Sequence, residues 1–348
     1  MVVVCKELSN GVLFPAVNLG TWQLQASDAG EVFSASFASG CRGLDGARYY
    51  TNEEELGPVL NQYCEGAGAD GRVDLKKFGS MNTDHVPARF KVVTDDEYNA
   101  NFVLPHGKPS DDRRIFVTTK IWPSDFDSEE KIRSSVEAHL KAYKRDQTDL
   151  ILLHWPGPHC NLPNFTEEQM KDPKNAETRL GAWKVLEKLY REKKTRAIGV
   201  SNFMPQHLTP LIEDIKKRAA DITAPSVPVM CNQVEGSPWI QGFRDIVEVC
   251  DNNNIAISVY RPIGGRRRPE KGPIVAEIAA KYKKPEGNVL IRWALQKGFV
   301  VLPKTSKPDR ARSNMDLFSF QIEDQDMKTL DGLFMSKSDP TQDPYAIA

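Results

Sequence analysis

Long apolar runs, an excess of one charge and paired cysteines are all missing from this chain. Without about 20 consecutive apolar residues nothing reads as a membrane span. The start, "MVVVCKELSNG", has only a short apolar run before Lys6 and no basic leader. The expected compartment is therefore the cytosol, with no membrane partner. Lys and Arg total 46 against 47 Asp and Glu, a formal net charge of -1, so no global field attracts nucleic acid. Cys5, Cys41, Cys64, Cys160, Cys231 and Cys250 are scattered without CxxC spacing. This argues against a disulfide framework and against a zinc site, and leaves free, mostly buried thiols and no metal. "NFT" at Asn164 spells a glycosylation acceptor that stays idle without a secretory leader. A small-molecule partner remains, bound to one large domain spanning 1–348.

Short apolar runs alternate with helical stretches from end to end. The runs are "AVNLGTW", "GLDGA", "IFVTTKIW", "LILLHWP", "RAIGVSNF", "VMCNQVE", "AISVYRP" and "FVVLPKT". Between them lie amphipathic segments such as "EEKIRSSVEAHLKAYKR", with apolar residues at three- and four-residue steps. Eight βα units predict an α/β fold, a closed (β/α)8 TIM barrel. Ahead of it, "KELSNGVLFPAV" suits a tight hairpin with φ > 0 at both Asn10 and Gly11, capping the barrel's far end. Roughly 63–110 is an insertion where a short connection would suffice between the second helix and the third barrel strand. Its "GAGADG" matches the spelling of a dinucleotide fingerprint but lacks the preceding strand and the following apolar helix, so it reads as a flexible loop. As a helix-to-strand connection, the insertion is expected on the face away from the chemistry.

In such a barrel the reactive groups gather at the carboxyl ends of the strands. Here those ends carry Trp22, Asp45, Lys120, His154, Ser201 with Asn202, Gln233, Tyr260 and Lys304. Asp45, Lys120 and His154 come from successive strands, and "DGARYYTNEE" adds two adjacent tyrosines after the aspartate. An ammonium held against a phenol favours the phenolate and so is expected to lower the tyrosine pKa, while a carboxylate keeps the lysine charged. A phenol so placed can protonate a developing alkoxide, and an imidazole can orient the carbonyl oxygen.

These motifs resemble those of the aldo-keto reductases. "SNGVLFPAVNLGTW", "DGARYYTNEEELG", "FVTTKIW", "DLILLHWPG", "RAIGVSNF", "CNQVE", "VYRPIG" and "VVLPKTSKPDRARSN" occur in that family's order, over nearly the whole chain apart from the insertion. The resemblance selects Tyr50 over Tyr49, because the family's tyrosine lies five residues after the aspartate and two before Asn-Glu. It implies hydride transfer from NADPH to an aldehyde or ketone, with Asp45, Tyr50, Lys120 and His154 as the catalytic set. It also implies that Tyr260 stacks on the nicotinamide and that Ser201, Asn202 and Gln233 bind its carboxamide. Thr21, Arg261 and Ile263 join the cofactor set, and Trp22 and Trp155 wall the substrate pocket. Lys304, Thr305 and Arg310 are of the types that hold a 2′-phosphate, which favours NADPH/NADP+ over NADH. Ser306 and Asn314 complete the adenosine end. Monomer is the family's tendency.

The sequence departs from the family pattern at three positions. Gly46 stands where threonine is usual, and Ser313 replaces a common glutamate near the adenine. Arg261 replaces a small residue, and either it or one of Arg266, Arg267 and Arg268 closes over the cofactor pyrophosphate, or the loop is a solvated basic one. Two other functions compete. A Schiff-base aldolase using Lys120 would want no fixed carboxylate and would leave Tyr50 and Gln233 idle. A cofactor-binding regulatory or scaffolding subunit would not need the four catalytic types.

Overall fold

The computed structural model describes residues 1–65, 79–102, 115–157, 166–220, 225–240, 243–265, 273–333 and 347. Its strands are β1 (Val2–Glu7), β2 (Leu13–Pro15), β3 (Leu19–Gly20), β4 (Gly43–Asp45), β5 (Lys91–Thr94), β6 (Phe116–Ile121), β7 (Thr148–Leu153), β8 (Thr195–Ser201), β9 (Cys231–Glu235), β10 (Ala256–Tyr260) and β11 (Val300–Leu302). Eight of them form one parallel sheet in the order β11-β10-β9-β8-β7-β6-β4-β3. Parallel bridges from Val17 to Val301 and from Gly20 to Lys304 join its two edges, so the sheet closes on itself. This is the (β/α)8 barrel that the repeated apolar runs predict. Every residue of β6 and of β7 is buried, as expected of strands packed on one side by the barrel interior and on the other by helices. The helix Glu129–Ala142 buries Ile132, Val136, His139 and Leu140, a stripe at three- and four-residue steps whose third member is polar.

The amino-terminal hairpin pairs Cys5 with Pro15 and Glu7 with Leu13. Its turn differs from the expected one. Gly11 has φ +83°, whereas Asn10 does not enter the left-handed region. Gly11 N–H donates to Leu8 O and Leu8 N–H to Val12 O, both at 2.9 Å. The connection is thus one residue longer than a two-residue turn, and it needs positive φ only at its glycine. Asn10 instead reaches across the molecule, its Nδ2 donating to Arg196 O at 2.9 Å.

The described part of the insertion contains structure that its composition did not signal. β5 adds antiparallel to β1, pairing Val2 with Thr94 through Cys5 with Lys91, and a short helix, Asp95–Ala100, follows with a complete capping box at Thr94 and Glu97. "KVVT" is too short and too exposed to stand out as a strand; pairing with β1 supplies what its composition lacks. The "GAGADG" stretch lies outside the described residues. Asn101 and Tyr98 fasten the segment to residues at the strands' amino ends. Arg196 Nη2 donates to Asn101 O at 2.7 Å, and the Tyr98 hydroxyl donates to Arg42 O at 3.2 Å. The three-stranded sheet therefore covers the end of the barrel opposite Asp45, Lys120 and His154.

Strand contacts inside the barrel leave little slack. A Cβ added at Gly199 in β8 would lie 2.3 Å from Cys231 O and 2.8 Å from Leu152 Cδ2, and a backbone carbonyl cannot rotate away. Gly199→Ala is expected to cost about 1–3 kcal/mol, typical of overpacking, and to lower the thermal midpoint by a few degrees in a circular-dichroism melt.

Candidate active site

The carboxyl end of the barrel assembles a buried charge pair first and a phenol second. Lys120, in β6, has no solvent exposure, and Asp45, at the end of β4, is 3% exposed. Lys120 Nζ donates to Asp45 Oδ2 at 2.8 Å, to Gly46 O at 2.7 Å and to the Tyr50 hydroxyl oxygen at 3.1 Å. All three donors of the ammonium are thus used. Gln233 Nε2 donates to the carboxylate's other oxygen, Asp45 Oδ1, at 2.8 Å. Tyr50 ends a single 3-10 turn, Arg48–Tyr50, and the next residue, Thr51, takes the left-handed conformation with φ 55°. His154 directly follows β7, its ring 5.7 Å from that of Tyr50 and edge-on to it. The structure brings Asp45, Tyr50, Lys120 and His154 into one cluster.

Its electrostatics correct one expectation. Burial raises the Tyr50 pKa, and the Lys120 ammonium opposes this without cancelling it, so the phenol titrates above its ordinary value. The hydroxyl is a loaded donor across the neutral range. Burial would strip Lys120 of its proton, but the Asp45 carboxylate and the phenol reverse the shift and hold it charged. Burial, reinforced by the Lys120 charge, pushes His154 well below its usual range, so its ring is neutral near pH 7. Its Nδ1 is buried and has no hydrogen-bond partner among the described residues.

The remaining expected residues fall into three groups. In the first, Ser201, Asn202 and Tyr260 form a hydrogen-bonded chain. Asn202 Nδ2 donates to His154 O at 3.0 Å and to Ser201 Oγ at 3.2 Å, and Asn202 Oδ1 accepts from the Tyr260 hydroxyl at 2.8 Å. The groups expected to meet a carboxamide are here satisfied by one another, and Gln233 by Asp45. Thr21 faces inward, its hydroxyl donating to Asp45 O at 2.9 Å. In the second group, Lys304 and Arg310 are exposed around the buried Thr305, and neither forms an ion pair with another described residue. Two exposed cations without an ion-pair partner among the described residues are of the types that hold a phosphate. Ser306 and Asn314 are half-buried nearby in the chain, and Ser313 Oγ donates to Asn288 Oδ1 at 3.2 Å. In the third group, Arg261 has φ 49° and lies 3.7 Å from Glu235 Oε2, while Ile263 is exposed. Arg266, Arg267 and Arg268 lie outside the described residues.

An aromatic wall flanks the cluster, and two of its rings, Tyr49 and Trp122, were not anticipated. Trp22 is 40% exposed and packs edge-on to Tyr50 at 4.9 Å. Trp155 is half-buried. Tyr49, set aside as a variable position, stacks on Trp122 at 4.0 Å and lies parallel to Trp22 at 6.1 Å. Trp122 also meets the His154 ring edge-on at 5.0 Å. The signal for this wall was present, since Trp122 ends an apolar run as Trp22 does. Among the described residues no group of three His, Cys, Asp or Glu side chains could hold a metal, and no helix is long and apolar enough to cross a membrane.

A parallel barrel here gathers an ion pair, a phenol and an imidazole at its carboxyl end, and comparison with characterised proteins specifies its class. Residues 100–334 match the model of the aldo/keto reductase family. Over 334 residues the chain is 31% identical to the 9,11-endoperoxide prostaglandin H2 reductase of Trypanosoma cruzi, covering 94% of this chain and 91% of that one. It is 28% identical over 328 residues to the glyoxal reductase of Bacillus subtilis, at 94% and 91% coverage. The aldose reductase structure from Schistosoma japonicum superposes with a TM-score of 0.71 at 25% identity, covering 97% of this chain and 95% of that one. The chain belongs to the aldo/keto reductase family.

A second imidazole on this face shares the fate of His154. His207 accepts from Met204 N–H at 3.0 Å and its other nitrogen meets Ile347 O at 2.8 Å, and burial lowers its pKa to about 4. Both rings are neutral when folded and take up a proton more readily when unfolded. Stability should therefore be complete above about pH 6.5 and fall as pH drops toward 4. The His207 shift alone is worth about 3 kcal/mol, so His207→Gln should flatten the acid limb of urea midpoints measured between pH 7 and 4.

Proposed function

We propose that the protein reduces aldehydes or ketones to alcohols with NADPH, using Tyr50 as general acid. The observation that carries this reading is the 3.1 Å contact between Lys120 Nζ and the Tyr50 hydroxyl, with Asp45 2.8 Å behind the lysine. When bound, the nicotinamide supplies the hydride to the carbonyl carbon. The side chains here handle the proton and the orientation. His154, neutral and edge-on to Tyr50, donates from its ring nitrogen Nε2 to the carbonyl oxygen and aims it at Tyr50. The phenol passes its proton to that oxygen as negative charge develops, and the phenolate left behind is stabilised by the Lys120 ammonium already in contact. At neutral pH the phenol keeps its proton until the alkoxide develops, and solvent later restores it.

Ser201, Asn202 and Gln233 would hold the carboxamide by exchanging their present partners for it, and Tyr260 would face the ring. Thr21, Arg261 and Ile263 line the middle of the cofactor path. Lys304, Thr305 and Arg310 would hold the 2′-phosphate, with Ser306 and Asn314 at the adenosine. Trp22 and Trp155 wall the substrate, joined by Tyr49 and Trp122. In this reading the chain is one unit, with 63–110 inserted on the far face, acting as a cytoplasmic monomer on a small carbonyl substrate. A binding subunit without catalysis has no use for a buried lysine whose three donors converge on a carboxylate, a carbonyl and a phenol.

Tyr50→Phe is expected to lower kcat for 4-nitrobenzaldehyde by about 10²–10⁴, followed as loss of NADPH absorbance, whereas Tyr49→Phe keeps kcat within about threefold and acts on KM. Full activity of Tyr50→Phe overturns the assignment. Lys304→Ala with Arg310→Ala should weaken NADPH binding by at least about tenfold and leave NADH binding unchanged in fluorescence titrations.

A further inference from the structure

Behind the cluster lies a second buried charge network that the reaction does not touch. Glu53, three residues after Tyr50, is 1% exposed and His139 is fully buried. Glu53 Oε1 accepts from Thr119 Oγ1 at 2.8 Å and lies 3.0 Å from His139 Nδ1. Glu53 Oε2 accepts from Arg48 Nη1 at 3.2 Å. His139 Nε2 is 2.9 Å from Thr148 Oγ1, whose hydroxyl donates to Val117 O at 3.1 Å. With that proton committed, both ring nitrogens face oxygen atoms that can accept. A Cβ at Gly46 would lie 3.3 Å from Glu53 Oε1, so the carboxylate packs directly beneath the residue whose carbonyl holds Lys120.

Each partner belongs to a different part of the reactive cluster. Arg48 is in the Tyr50 turn, Thr119 precedes Lys120 in β6, and Thr148 opens β7, which His154 directly follows. The turn itself is poorly self-supporting. It is a single 3-10 turn followed by Thr51, a β-branched residue at φ 55°, a conformation that persists only where the surroundings impose it. Arg48, Tyr143 and Glu54 are the other charged or titratable groups around the pair. The Tyr143 ring is 5.0 Å from that of His139, and Arg48 also pairs with Glu54 at 2.7 Å.

We propose that Glu53, paired with His139, is a positioning residue that ties the Tyr50 turn to β6 and β7 and so sets the contact between the Tyr50 hydroxyl and Lys120. This rests on the reading of Tyr50 as the proton donor. Burial alone would raise the Glu53 pKa, yet His139, Thr119 and Arg48 together bring it below its usual range, consistent with a carboxylate that is charged while buried.

The test uses Glu53→Gln, His139→Leu and their double variant in the full chain. Each is compared with wild type by steady-state kinetics and by 19F NMR of 3-fluorotyrosine placed at position 50 alone. A displacement of order 1 Å of a reacting group costs up to about 10²-fold. Glu53→Gln and His139→Leu should each lower kcat by about 10- to 100-fold with KM for the aldehyde and NADPH affinity within about threefold. The double variant should lose no more than the worse single, as expected of groups acting as a unit. The fluorine resonance should shift or broaden in both singles. Unchanged kcat together with an unchanged resonance in folded His139→Leu overturns the proposal, even if Glu53→Gln does not fold. If wild type reduces no carbonyl, the functional reading fails, and the fluorine spectra alone still decide whether the tie exists.

Discussion

An ammonium with no access to water is the constraint around which the rest of this barrel is arranged. Lys120 could not remain charged at zero exposure without Asp45, and Asp45 could not remain buried without Lys120 and Gln233. Removing one partner of such a pair typically costs about 3–5 kcal/mol, because the other charge is left stranded. Strand registry brings its members together. β4 pairs with β6 so that Asp45 lies opposite Thr118, and β6 pairs with β7 so that Lys120 lies opposite Leu152. These registers deliver the carboxylate, the amine and the imidazole to one end.

The same burial that makes the pair strong changes what it does to the phenol. The ammonium pulls the Tyr50 pKa down, but removal from water pushes it up by more. The lysine is better described as stabilising the charge that appears when the proton leaves than as pre-ionising the tyrosine. Burial acts again at His154, which stays neutral. A site on a closed barrel can tune three different groups because exclusion of water is shared while the charges are local.

Much of this was legible in the chain. Alternating apolar runs and amphipathic helices signalled eight βα units, and the polar residue ending each run marked the reactive face. Other features were hidden. The strand at Lys91–Thr94 depends on an edge offered by β1, and the hairpin turn is one residue longer than the Asn-Gly pair implied, with positive φ only at Gly11. Tyr49 read as a variable position because its stacking depends on Trp122, 73 residues away in the chain. His139 carried a faint signal, as an imidazole in the apolar stripe of its helix, but its partner Glu53 is 86 residues away.

What the sequence determined alone is the periodicity and the residue types at the strand ends; the family resemblance pointed to Tyr50, and the structure sets that tyrosine against Lys120. The tertiary structure decided the direction of the pKa shifts at Tyr50 and His154, the pairing of Asn202 with Tyr260 and of Gln233 with Asp45, and the second buried network beneath Gly46. The division has a physical cause. Periodicity and residue type are local properties written in the chain, whereas exposure to water and distance between charges exist only once distant strands are brought side by side.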